Sequence, residues 1–159
     1  TICKYVNISK IKKILNHIGL GQFIYIIKAV SALFKSSFSK GTITIDGQKV
    51  VSFDKGFFII SMIHKYEGGG IKFAPNADPT DGLLSVCIAH SMSRFQLLIM
   101  LLHVLVGKHQ GLRGVELFRC STMNVTLEND WDIHTDGEYI SQYNTYEVSC
   151  LPKKLKLLV

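Results

Sequence analysis

From Gly41 onward, apolar residues tend to alternate with polar ones in short runs divided by turn residues, and that rhythm admits little besides a β-rich fold. Thr42-Ile43-Thr44-Ile45 alternates, Asp46-Gly47 has the composition of a type I′ hairpin turn, and Lys49–Phe53 returns. Further strands are predicted at Gly56–Ile63, Leu83–Ala89, Val115–Cys120, Met123–Leu127, Trp131–Thr135, Thr145–Ser149 and Leu155–Val159. Gly68–Asp81, rich in glycine and proline, reads as a loop. Ahead of Gly41 the period is helical: Phe23, Ile26, Ile27, Val30, Leu33 and Phe34 share a stripe, and Gly19 and Gly21 divide this helix from a shorter basic one at Ile8–His17. Ser91–Val106 is a further helix that Ser93 or Ser91 can cap, and it falls short of the roughly 20 apolar residues a membrane span needs. The expected fold is mainly β with helices: one domain over 1–159, a two-sheet β-sandwich decorated by two or three helices.

Composition narrows the class further. With 47% apolar and 19% charged residues in a chain of 159, disorder is excluded. The net charge of +6 is concentrated in Lys4, Lys10, Lys12 and Lys13 at one end and Lys153, Lys154 and Lys156 at the other. Tyr5 is the one aromatic residue within these clusters, too little for a stacking platform, which argues against nucleic acid and leaves an anionic lipid surface or plain solvation. Cys3, Cys87, Cys120 and Cys150 are scattered without zinc spacing and are expected to be free thiols of a cytosolic protein. The opening Thr1-Ile2-Cys3-Lys4 lacks the pattern of a secretory signal. Without an initiator Met, the chain is expected to be a piece of a longer protein.

Two segments hold residues that could carry chemistry. Gly68-Gly69-Gly70 lets backbone approach a ligand or another strand, but no G-K-[ST] follows it, so a tight backbone crossing is the local expectation. Asp78 and Asp81 bracket a turn, and Asp81 with nearby carbonyls offers oxygen ligands to Mg²⁺ or Ca²⁺, although most such turns hold nothing. In Asp132, His134, Asp136 and Glu138 a continuing strand would align three carboxylates and an imidazole on one face, suited to a metal or a general base. The alternative is a solvated face interrupted by an Asp136-Gly137 hairpin turn. The remaining histidines, His17, His64, His90, His103 and His109, have no matching partners, and no Gly-x-Ser-x-Gly is present to support a hydrolase.

Taken together, Gly68-Gly69-Gly70-Ile71-Lys72-Phe73-Ala74-Pro75-Asn76-Ala77, Thr80-Asp81-Gly82-Leu83-Leu84-Ser85-Val86 and Thr135-Asp136-Gly137-Glu138 resemble the C-terminal domain of the diacylglycerol kinase/sphingosine kinase family of lipid kinases, bacterial branch. Thr44-Ile45-Asp46-Gly47 and Leu101-Leu102 with Gly107-Lys108-His109 extend the similarity from about Leu20 to the end. The resemblance implies a second domain that meets an N-terminal nucleotide-binding domain across the active cleft. The Gly-Gly-Asp-Gly-Thr loop of that first domain does not occur in this sequence. It implies transfer of the ATP γ-phosphate to the hydroxyl of a diacylglycerol-like lipid, with Asp136 as the base and Gly137 and Glu138 beside nucleotide or metal. It also implies a Mg²⁺ site at Asp81 with the carbonyls of Asp78 and Leu83. The expected partners are the lipid substrate at a membrane surface, the N-terminal kinase domain and, in one version, a second copy in a homodimer. The expected location is cytoplasmic, peripheral to the inner face of the membrane, and the isolated piece is expected to be inactive. Ile63-His64 departs from the Asn-Gly usual before the glycine run, which bears on catalysis or substrate choice, and Glu67 replaces a residue commonly aromatic or small. Two other readings stand beside this one: a non-catalytic membrane- or protein-docking module, and a soluble-substrate kinase of the NAD kinase type.

Overall fold

The computed structural model describes residues 38–67 and 70–152. The helices expected within 8–37, the strand expected at Leu155–Val159, and Cys3, Gly68 and Gly69 lie outside the described residues. Six strands and one helix are found among the described residues: β1 Ser39–Ile45, β2 Lys49–Met62, β3 Leu84–His90, α1 Arg94–Leu105, β4 Val115–Cys120, β5 Thr122–Thr135 and β6 Glu138–Ser149. They form one six-stranded sheet in the order β4-β3-β2-β1-β5-β6, every neighbouring pair antiparallel.

The expectation of two sheets and two or three helices is met only in part, for a specific reason. Lys49–Phe53 and Gly56–Ile63 were expected as separate strands, but β2 runs through both. Its first part pairs with β1 as far as Gly56, and its second part pairs with β3 from Gly56 onward, with register shifts at the corner. Gly56 makes the corner possible: a Cβ there would lie 2.5 Å from the Phe53 ring and 3.0 Å from Trp131. The segments expected at Met123–Leu127 and Trp131–Thr135 are likewise one strand, β5, irregular between Thr126 and Trp131. Because two long strands carry through their bends, the sheet curls as one piece.

The curl creates two cores. Ile43, Ile45, Val51, Phe53, Leu84, Val86, Ile88, Met123, Val125 and Leu127 are buried together on one face, drawn entirely from strands. On the other face Cys87, Ala89 and Met62 pack against Leu97, Met100 and Val104 of α1 and against Phe73, Ala74 and Ala77 of the preceding loop. Successive residues of β3 thus enter different cores, which explains its almost unbroken apolar sequence.

α1 is bounded by its own side chains. The Ser93 hydroxyl accepts the Gln96 N–H at 3.2 Å, and the Gln96 side chain accepts the Ser93 N–H at 2.8 Å, a complete capping box. At the other end the N–H groups of Gly107 and Lys108 bond the carbonyls of Val104 and His103, with Gly107 at φ +71°. No helix among the described residues is long and apolar enough to cross a membrane. Cys87 and Cys120 are free and buried, as expected, and burial pushes their thiols up to about 12 and about 11; Cys150 is free and half-buried.

Candidate functional site

The D-G-E residues occupy the tip of the β5–β6 hairpin. Thr135 pairs with Glu138, and between them Asp136 and Gly137 adopt φ of +48° and +84°, the left-handed pair of a type I′ turn. Backbone direction reverses there, so the alternation that would align Asp132, His134, Asp136 and Glu138 stops at Thr135. Asp132 and His134 share a face, where Asp132 Oδ1 accepts a hydrogen bond from Gln142 Nε2 at 2.9 Å and the His134 ring stands 5.6 Å edge-on from Tyr139. Glu138, paired with Thr135, belongs to the opposite face. Asp136, Gly137 and Glu138 are all exposed, and Tyr139, Ile140 and Tyr143 expose apolar surface beside them. The tip therefore presents a carboxylate to whatever approaches. A cavity of about 480 Å³ over β1, β2 and β5, lined by Lys40, Phe53, Asp54, Leu127 and Glu128 among others, includes none of these residues.

The Asp78–Leu83 loop lies elsewhere. Asp78 Oδ1 accepts both the N–H and the hydroxyl of Thr80, at 2.9 and 2.7 Å, and these bonds, the hydroxyl first, hold its carboxyl below its ordinary value. Asp81 Oδ1 accepts the Leu83 N–H at 2.7 Å, its Oδ2 meets the Arg119 guanidinium, and the Asp81 N–H faces the Asp78 carbonyl at 3.5 Å. A divalent cation at Asp81 and the carbonyls of Asp78 and Leu83 needs a carboxylate with lone pairs to give. Here Oδ1 of that carboxylate is tied to its own loop and Oδ2 meets a guanidinium, so a cation at Asp81 would compete with Arg119 for it. Among the described residues no group of three or more His, Cys, Asp or Glu gathers that could hold one.

The two candidate sites sit at opposite ends of the sheet. β3 begins beside the end of β4, where Leu84 pairs with Cys120, and the chain enters β5 immediately afterwards. Asp136 follows the far end of the 14-residue β5, ~46 Å along the chain at about 3.3 Å per residue and less in a straight line because the strand bends. The loop and the D-G-E turn are thus separated along the β5–β6 ladder.

Two residues passed over as ordinary have definite work in the fold. His109 is fully buried, and its Nε2 donates to the Phe73 carbonyl at 3.1 Å, joining the segment after α1 to the Ile71–Ala77 stretch; burial holds its pKa down. Only its place in Gly107-Lys108-His109 marked it in the sequence. Asp46 accepts from the Ser121 N–H, the Ser121 hydroxyl and the Thr122 N–H at 2.9, 2.7 and 2.9 Å, binding the β1–β2 turn to the β4–β5 turn. The glycine run does not make the expected backbone crossing at Gly70: that residue, at φ +81°, turns the chain between Glu67 and Ile71, and nothing lies within 4 Å of where its Cβ would be.

Comparison with known proteins supplies the remaining findings. The family described as "YegS C-terminal NAD kinase beta sandwich-like domain" matches residues 9–159. A protein named diacylglycerol kinase, from Mycobacterium tuberculosis strain H37Rv, is 28% identical over 138 residues, covering 87% of this chain and 44% of that protein. The chain thus spans less than half the length of this curated relative. A solved structure from Bacillus anthracis str. Sterne is similar with a TM-score of 0.64 at 18% identity, covering 80% of this chain and 44% of that one. A second, described as a diacylglycerol kinase from the same organism, has a TM-score of 0.55 at 18% identity, covering 76% and 42%. At that identity the structural likeness establishes the fold.

Proposed function

The chain belongs to the family of YegS C-terminal NAD kinase beta sandwich-like domains, and from that premise we propose that it forms the C-terminal part of a lipid kinase acting on a diacylglycerol-like hydroxyl. The observation that carries this reading is the exposed Asp136-Gly137-Glu138 turn in a chain 28% identical to a diacylglycerol kinase. Asp136 takes the proton of the lipid hydroxyl. The freed oxygen forms its bond to the γ-phosphorus of ATP as the bond from that phosphorus to the departing ADP breaks. Mg²⁺ bound with the nucleotide would supply the positive charge that spreads the charge of the transferring phosphoryl group. Glu138 and Gly137 line the nucleotide side of the turn. An N-terminal domain supplies most of the ATP contacts and covers the apolar side chains of Tyr139, Ile140 and Tyr143, so this piece alone is inactive.

Contact with the lipid surface is assigned to α1. Phe95, Leu102 and Val106 form one outward stripe, 71%, 54% and 59% exposed, on a helix without an acidic residue. Arg94 opens the helix and Lys108 follows it, so basic residues flank the apolar stripe where it would meet an anionic surface. In this reading the protein works at the inner, cytoplasmic face of a membrane. Sedimentation with phosphatidylglycerol vesicles checks it: the Phe95→Ser/Leu102→Ser double variant should bind at least ~10-fold more weakly. Undiminished binding would remove α1 from the membrane interface.

The NAD kinase wording in the family description favours a second reading, phosphorylation of NAD. Radiolabelled ATP offered to the complete protein, N-terminal domain included, with diacylglycerol or with NAD distinguishes the two. Label in the lipid extract supports the lipid kinase, and label on NAD alone overturns it.

A further inference from the structure

We propose that Arg119 is the resident cation of the Asp78–Leu83 loop, so that this chain folds and holds that loop without a divalent metal. The strand register puts the guanidinium there. β3 and β4 pair without a shift from Leu84 opposite Cys120 to Ala89 opposite Val115, which sets Arg119 opposite Ser85 and next to the point where the loop enters β3.

The pair is well placed to replace an ion. The Asp81 side chain is 19% exposed and that of Arg119 42%, so their attraction is less screened than that of a surface pair. The two Asp81 oxygens divide the work: Oδ1 holds the Leu83 N–H inside the loop and Oδ2 ties the loop to β4. Gly82, at φ +73°, lets the chain turn between them, and a Cβ there would lie 3.0 Å from Pro152. Asp78 is equally committed, to the two donors of Thr80, with Arg119 and Lys65 adding favourable charge.

A divalent cation entering this loop would have to displace the guanidinium and then sit beside it. It would also have to draw on the Asp81 carboxylate, whose two oxygens already meet the Leu83 N–H and Arg119, and complete its shell with carbonyls and water. Guanidinium differs from a metal ion in being covalently attached, so the loop is neutralised whatever the metal concentration. This inference concerns folding and stands apart from phosphoryl transfer, in which Mg²⁺ travels with the nucleotide.

Thermal unfolding of the full chain in EDTA, Mg²⁺ and Ca²⁺ tests it. The wild-type midpoint should move by no more than about 1 °C among the three. Arg119→Met should melt lower in EDTA and recover part of the loss in millimolar Mg²⁺ or Ca²⁺, because removing the guanidinium frees the Asp81 carboxylate. Asp81→Asn should also melt lower and recover nothing. Amide signals of residues 78–83 in the wild type should keep their linewidths when Mn²⁺ is titrated in, a reading that needs no variant to fold. Broadening of those signals, or a wild type stabilised by Mg²⁺, overturns the proposal. So does an Arg119→Met variant that melts like the wild type.

Discussion

Asp46-Gly47 and Asp136-Gly137 are the same dipeptide, with both residues at positive φ in each case. Each closes an antiparallel hairpin, the first through the three residues between Ile45 and Lys49 and the second through the two between Thr135 and Glu138. Their carboxylates differ completely in circumstance. Asp46 accepts three hydrogen bonds from Ser121 and Thr122, residues some 75 positions away, and its own N–H donates to the Thr122 carbonyl at 2.9 Å. The Asp136 carboxylate is exposed and has no such contact among the described residues. A hairpin turn is a local matter of backbone strain, which Asp and Gly relieve. Whether the carboxylate it carries is structural or available for chemistry depends on what the rest of the chain brings beside it.

Substitution at the two aspartates should therefore have opposite consequences. The largest effect is expected at Asp136: in the complete kinase Asp136→Asn should lower lipid phosphorylation by roughly 10²–10⁴-fold, the usual contribution of a general base, while the melting temperature stays put. Full turnover in that variant would end the assignment of Asp136 as the base.

Asp46→Ala should do the reverse, lowering the melting temperature by a few degrees without a specific loss of turnover in the folded protein. The effect has a pH signature. The Ser121 hydroxyl, then the Thr122 N–H, holds the Asp46 carboxyl below its ordinary value of 3.8 in the folded state. Its stabilisation is thus complete above that value and is lost as the pH falls through the lowered, folded-state value. Asp46→Asn should flatten the acid limb of stability against pH; a limb identical to that of the wild type would show that Asp46 is not held this way.

The smallest effects should be alike at the two turns. Nothing lies within 4 Å of a Cβ built on Gly47 or Gly137, so Gly→Ala at either position meets only the left-handed backbone, an expected cost of about 1–2 kcal/mol each. Chemical denaturation of the two variants checks this. A large inequality would mean that the turns are not equivalent and that the aspartates cannot be compared as a matched pair.

Much of the architecture was legible because it rests on short-range rules. Ile43 and Ile45 alternating with threonines, Ser93 as a candidate cap of α1, and both Asp-Gly turns were all readable from spacing and residue type. The division of β2 and β5 into separate strands was misread. Whether a strand stops or bends at Gly56 depends on Phe53 and Trp131 coming together there, and no local window contains both. The alternation beyond Thr135 offered two readings, and the turn at Asp136 decided between them. Arg119 at Asp81 and His109 at Phe73 were invisible for the same reason, since each contact joins residues more than 30 positions apart.

By itself, then, the sequence determined that this chain is β-rich, where its turns fall, which strand is apolar on both faces, and, through Asp136-Gly137-Glu138 and the glycine string, which family it belongs to. Only the tertiary structure decided that the strands make one curled sheet, that Asp46 is tied while Asp136 is exposed, and that Asp81 faces a guanidinium. Backbone preference acts over a few residues and can be read in order along the chain. The environment of a charge is set by whatever folding brings within hydrogen-bonding distance, and no linear order records it.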